Sequence, residues 1–138
     1  MQFSIKQVLD LALQHHSENR LRDAGKAYRQ ILQRHPNHPV ALHRLGVVSH
    51  QIGKDETAIK LIKRALSINP NYPEPYNSLG NVYKDRGDLE EATPYYHKAI
   101  ALFPKFAEAH SNLSSIYYSQ GKFDEAIASC RKAISIDP

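Results

Sequence analysis

The chain has 138 residues, 41% of them hydrophobic and 23% charged, with a net charge of +4. This balance fits one globular domain and excludes a disordered tail. No run approaches the roughly 20 apolar residues of a membrane-spanning helix, and Met1-Gln2-Phe3-Ser4-Ile5-Lys6 meets charge too early for a signal-peptide core.

Cys130 is the only cysteine, so no internal disulfide can form, and the cytoplasm is the expected compartment, with no membrane partner. The charge is uneven. Residues 1–38 carry six basic and three acidic side chains and residues 39–72 five and two; residues 73–106 carry four and five, and residues 107–138 three and four. The first half is therefore +6 and the second −2. Such an excess helps to attract an acidic partner but falls well short of a nucleic-acid-binding arm, and no nucleic-acid partner is expected.

Self-similarity organises the rest. Pro36, Pro70, Pro104 and Pro138 are spaced by 34 residues, as are Leu11, Leu45, Leu79 and Leu113, and Ala24, Ala58, Ala92 and Ala126. Gly53, Gly87 and Gly121 keep the same step, with Asn19 as the first member. The chain reads as one domain of four copies: 5–38, 39–72, 73–106 and 107–138.

In chain order, copy one contributes Leu11 to a first helix, Asn19 to a turn, Ala24 to a second helix and Pro36 to its end. Asn is the residue after glycine that best tolerates a left-handed backbone, so Asn19 fits a turn of positive φ. Copy two places Leu42, Leu45, Gly46 and Ser49 on one side of its first helix, then Gly53 in the turn. Copy three repeats this with Tyr76, Leu79, Gly80 and Tyr83, and its second helix presents Ala92, Tyr96 and Ala99. Asp88 and Glu91 have capping-box spacing, and Pro94 predicts a kink or a late helix start. Copy four has His110, Leu113, Ser114 and Tyr117, then Ala126, Cys130 and Ala133 on a helix from about Phe123 to Ile136. Small residues at positions 8, 20 and 27, such as Gly80, Ala92 and Ala99, let two helices approach closely. The glycine at position 15 ends the first helix and the proline at position 32 ends the second. Each copy is then a helical hairpin that buries its apolar face only by stacking on another, an all-α solenoid of about eight helices.

This pattern resembles the tetratricopeptide repeat (TPR) over essentially the whole chain, which implies a right-handed solenoid of four helix-turn-helix repeats. Residues 71–83 (NYPEPYNSLGNVY) and 103–113 (FPKFAEAHSNL) further resemble the repeats of O-linked N-acetylglucosamine transferases and their bacterial relatives. In TPR proteins, positions 2, 5, 6, 9, 12 and 13 of the first helix line a concave groove for a peptide or protein partner. Here the resemblance assigns His43, Arg44, Asn77, Asn81, Lys84, Asn112 and Tyr118 to that groove. Asparagine offers both donor and acceptor and can hold a peptide backbone without reading side chains. The transferases carry an asparagine ladder at position 6; this chain matches it at Asn112 but has Asp10, Arg44 and Ser78 in the other copies. The plain alternative for Asn77 and Asn81 is that of solvated helix residues. A carboxylate clamp of the chaperone-binding kind is disfavoured, because Glu74 and Ser78 stand where basic residues would be needed.

No other chemistry emerges. His43 and His50 lie seven apart with His16 one copy earlier, and His35 and His38 form a loop pair, but none has zinc spacing or a cysteine partner. There is no phosphate loop, nucleophile elbow, HExxH or carboxylate pair, so neither catalysis nor a cofactor is expected of this chain. Cys130 takes the place of an aromatic at a packing position and reads as buried and inert. Ile127 and Ile134 should be exposed on the last helix, where a following repeat would cover them. The expectation is the N-terminal part of a longer protein, such as a glycosyltransferase, whose groove holds a peptide or partner segment. The alternative is a free-standing scaffold that self-assembles into a homo-oligomer through that last helix.

Overall fold

The 34-residue period becomes eight helices in the computed structural model, which describes residues 2–138. The first helices are α1 (Ile5–Ser17), α3 (Pro39–Gln51), α5 (Pro73–Asp85) and α7 (Ala107–Ser119); the second are α2 (Leu21–Arg34), α4 (Asp55–Ile68), α6 (Leu89–Leu102) and α8 (Phe123–Ile136). Every first helix occupies positions 1–13 of its copy and every second helix positions 17–30. No strand occurs among the described residues.

Single residues set these bounds. Asn19 has φ 59° and Gly53, Gly87 and Gly121 have φ between 75° and 85°, so all four turns use the left-handed region that glycine and asparagine tolerate. The residue before each repeat proline, His35, Asn69, Phe103 or Asp137, is extended with φ between −139° and −132°, as a following proline requires. Pro39 and Pro73 open α3 and α5, where a missing N–H costs nothing.

Helix capping differs from the expectation in copy three. Asp88 makes no side-chain cap bond; the left-handed turn holds it, like Arg20, Lys54 and Lys122, at ψ 68–73°, and this shared geometry replaces a capping box. A capping box does form at Ser4, whose Oγ accepts from the Gln7 backbone at 3.1 Å while its own N–H donates to Gln7 Oε1 at 2.8 Å.

The chain divides into two compact units, the first ending at Pro70 and the second beginning at Asn71, so each unit holds two copies. In the first unit, Val8, Ala12, Ala24, Ala27, Tyr28 and Ile31 of α1 and α2 pack with Ala41, Leu45 and Val48 of α3. In the second, Ala92, Tyr96 and Ala99 of α6 pack with Ala109, Leu113 and Ile116 of α7.

Within a hairpin, the small residue at position 8 faces the large one at position 24. A Cβ on Gly46 would lie 2.6 Å from Ile62, and one on Gly80 would lie 2.6 Å from the Tyr96 ring, so both glycines are required by their neighbours. Copy one uses Ala12 against Tyr28, both fully buried. Copy four uses Ser114, whose hydroxyl donates to the Ala126 carbonyl at 2.8 Å. Its position-24 residue, Cys130, is exposed rather than buried. The side chain is short, and unlike Tyr28 and Tyr96 it has no next first helix of its unit lying over it.

Pro94 causes no late start, since α6 begins at Leu89 in register with the other second helices. The proline lies inside the helix on its exposed side, so the carbonyl of Glu90 loses its partner toward solvent. Thr93 Oγ1 back-bonds to the Leu89 carbonyl at 2.9 Å in the same turn. Pro94→Ala restores the missing helical bond and should raise stability by about 1–3 kcal/mol in urea unfolding, while an unchanged or lowered midpoint would contradict this placement.

Candidate functional site

The first helices of each unit carry the residues expected to meet a partner. In the second unit, Asn77, Asn81 and Lys84 stand at i, i+4 and i+7 on α5, one stripe of that helix. Asn112 of α7 lies against them. Its Nδ2 donates to Asn77 Oδ1 at 3.2 Å and to Asn81 Oδ1 at 3.0 Å. Its Oδ1 accepts from Lys84 Nζ at 3.3 Å. The asparagines are therefore one network joining α5 to α7, rather than separate solvated side chains.

Burial sorts the members. Asn77 is only 4% exposed and sits beneath the face, while Asn81, Lys84 and Asn112 are half-buried within it. Tyr118 lies apart at the far end of α7, 69% exposed, with its ring edge-on to Phe123 at 5.5 Å between centroids.

Tyr96 completes the network, which sequence reading had placed only in the core. Its ring fills the notch at Gly80, and its hydroxyl emerges to donate to Asn81 Oδ1 at 2.6 Å. Burial, then the negative charges of Asp85 and Glu108, push the phenol above its usual range, so it stays a donor. The signal was the residue type: a tyrosine at an apolar position must find a partner for its hydroxyl.

The first unit has the same frame with different chemistry. Tyr28 sits at position 24, and its hydroxyl reaches His16 Nδ1 at 3.2 Å. His16 Nε2 lies 2.8 Å from Gln51 Oε1. An amide oxygen only accepts, so Nε2 carries the proton and Nδ1 accepts from Tyr28. Burial lowers the His16 pKa, the Gln51 bond opposes this, and Arg44 lowers it further. His43 is only 3% exposed, beneath the face like Asn77. Its pKa is pushed down to about 3 by burial first, then by Arg44 and His16. Arg44 is half-buried, and its Nε is buried without a hydrogen-bond partner. His50 pairs with Asp55 at 2.7 Å. The two units thus differ in character: the first clusters Arg44 with two histidines held neutral by burial and neighbours, and the second clusters amides with one lysine. Among the described residues no group of His, Cys, Asp and Glu is arranged to hold a metal ion.

A depressed histidine pKa has a defined consequence. Between about pH 3 and the unfolded value near 6.5, His43 is protonated in the unfolded chain and neutral in the folded one. Stability must therefore fall as pH drops through this window, by up to about 1.4 kcal/mol per pH unit from this group. His16 adds in the same direction. The urea midpoint followed from pH 7 to 4.5 should fall steeply for the parent and more gently for His43→Leu, and parallel profiles would contradict the buried neutral His43.

Comparison with known proteins agrees with this architecture. One family model, described as Tetratricopeptide repeat, matches residues 77–138, and another, described as TPR repeat, matches residues 48–85. No curated protein matches the chain. Among solved structures, MamA superposes with a TM-score of 0.81 at 25% identity, over 97% of this chain and 78% of that one. A thermophilic TPR protein in Thermus thermophilus superposes at 0.88 with 23% identity, over 97% of this chain and 75% of that one. A MamA fragment from Desulfovibrio magneticus gives 0.80 at 19% identity, over 97% and 76%. The two repeat matches together identify residues 48–138 as tetratricopeptide repeats, and the helix bounds keep the same 34-residue register through residues 5–47.

Proposed function

We propose that this chain is a non-catalytic protein-interaction module that holds an extended segment of a partner protein against the first helices of its hairpins. Tetratricopeptide repeats as a class suggest protein partners. The observation that carries the finer reading is the donor surplus of the α5–α7 network. The side-chain oxygens of Asn77, Asn81 and Asn112 all accept bonds within it. Among the donors not used within it are the amide N–H₂ of Asn81 and the remaining hydrogens of the Lys84 ammonium, both on half-buried side chains. Donors without acceptors suit main-chain carbonyl groups, which every extended segment supplies at regular spacing. Asn77, being buried, fixes Asn112 from below. In the first unit Arg44 would take an acidic side chain of the same kind of ligand, consistent with the positive first half of the chain.

The resemblance of residues 71–83 and 103–113 to transferase repeats supports a narrower version, in which the held segment is delivered to a catalytic domain such as a glycosyltransferase. Asn112, at the ladder position, is the residue that favours it.

Peptides selected from a random display library on the intact chain test the proposal. Asn81→Ala combined with Lys84→Ala should weaken the selected peptides by about tenfold or more, roughly 1.4 kcal/mol, with the thermal melt retained. Peptides that bind this double variant as tightly as the parent would refute the assignment.

A further inference from the structure

The 34-residue register sets Arg44 of α3 in the place that Asn112 takes on α7. Asn112 meets Asn77, Asn81 and Lys84 of the preceding first helix. The same positions of α1 hold Leu9, Leu13 and His16. Both leucines pack on the core of the first unit and offer a guanidinium no acceptor. His16 has both ring nitrogens engaged, by Tyr28 at 3.2 Å and Gln51 at 2.8 Å. Two leucines in place of two amides thus account for the Arg44 Nε that is buried without a partner. A half-buried cation left in this way is completed by an anion, and a carboxylate has the two oxygens that match a guanidinium fork.

His16 can answer such a ligand in place. A second proton on Nδ1 moves no heavy atom, because the Tyr28 hydroxyl accepts as well as donates, so their bond reverses instead of breaking. Burial and the Arg44 charge hold that proton off, while the Gln51 bond favours it. A carboxylate beside Arg44 offsets the charge part of this resistance. The other ionisable groups around His16 are buried or already engaged. On α3, His43 is too deeply buried to charge near neutral pH, and His50 is held by Asp55 of α4. On α1, His15 accepts from Arg20, Glu18 pairs with Arg20 and accepts from Gln14, and the exposed Asp10 lies six residues before His16.

Resting on the reading that the first helices hold a partner segment, we infer that the first unit captures a carboxylate of that segment at Arg44 together with a proton at His16. The capture of an acidic segment is thereby coupled to pH. In the free chain His16 titrates below the usual histidine value; with the carboxylate bound it titrates higher. Between those two values each ligand brings a proton, so affinity rises as pH falls, by at most about tenfold per pH unit. Above and below that window His16 has the same charge free and bound, and affinity is flat.

The probe is a rhodamine-labelled peptide of alternating glutamate and serine, titrated into the intact chain at constant ionic strength from pH 8 to pH 6, where its glutamates stay ionised. Its affinity should rise by about fivefold over that range. Arg44→Gln should remove binding at every pH. His16→Gln should keep the pH 8 affinity within about twofold and flatten the slope, and His50→Gln should leave the slope in place. The His16 ring signal in NMR gives the second readout, independent of any variant: its titration should move to higher pH when the peptide saturates the chain. Binding that depends on Arg44 but is indifferent to pH, or a slope that survives His16→Gln with no movement of the His16 titration, would overturn the coupling and leave the partner-holding face standing. The same slope with a glutamine-for-glutamate peptide would overturn it too. No saturable binding at any pH would remove the carboxylate site itself.

Discussion

The structure depends on how closely the two helices of each hairpin approach. A large side chain at position 24 is seated in a notch left by a small one at position 8: Tyr28 against Ala12, Ile62 against Gly46, Tyr96 against Gly80. Without the notch the helices would stand further apart, and the alanines at positions 20 and 27 would lose their contacts. The next first helix of each unit then lies on the face so formed, so stacking between hairpins follows from packing within them.

The same notch connects the core to the chemistry. Because the tyrosine ring lies across the hairpin at its closest point, the hydroxyl comes out on the far side of the first helix rather than ending in apolar surroundings. There Tyr28 meets His16 and Tyr96 meets Asn81. A core residue thus fixes the orientation of a surface residue, and an amide whose oxygen is already occupied has only its donors left to offer. The first unit uses this frame for a positive cluster and the second for amides, so one scaffold offers two chemically distinct surfaces.

Much of this was legible in the sequence because single residues carried it. The positive φ of Asn19, Gly53, Gly87 and Gly121, and the prolines that stop the second helices, each correspond to one hard backbone restriction repeated at one period. The asparagine network was legible only in outline. Periodicity gives the angle of Asn77, Asn81 and Lys84 around α5, but the axial offset between α5 and α7 decides that Asn112 falls between them and that Asn77 ends up beneath the face. No pattern within one helix encodes that offset. Cys130 failed for a related reason: the same position in copies one and three, Tyr28 and Tyr96, is buried under the next first helix of its unit, and burial of that kind belongs to neighbours rather than to the residue.

The most direct test of the notch is a double-mutant cycle between Gly80 and Tyr96, read as urea unfolding free energies. In the parent, Gly80→Ala should destabilise by about 1–3 kcal/mol, because the new methyl meets a rigid buried ring. In a Tyr96→Ala background the same change should stabilise by up to about 1 kcal/mol, because alanine is the better helix former once the ring is gone. A reversal of sign confirms that ring and glycine define each other. The same cost in both backgrounds would mean that the close approach is set elsewhere, and the account of how the hairpins form would fail.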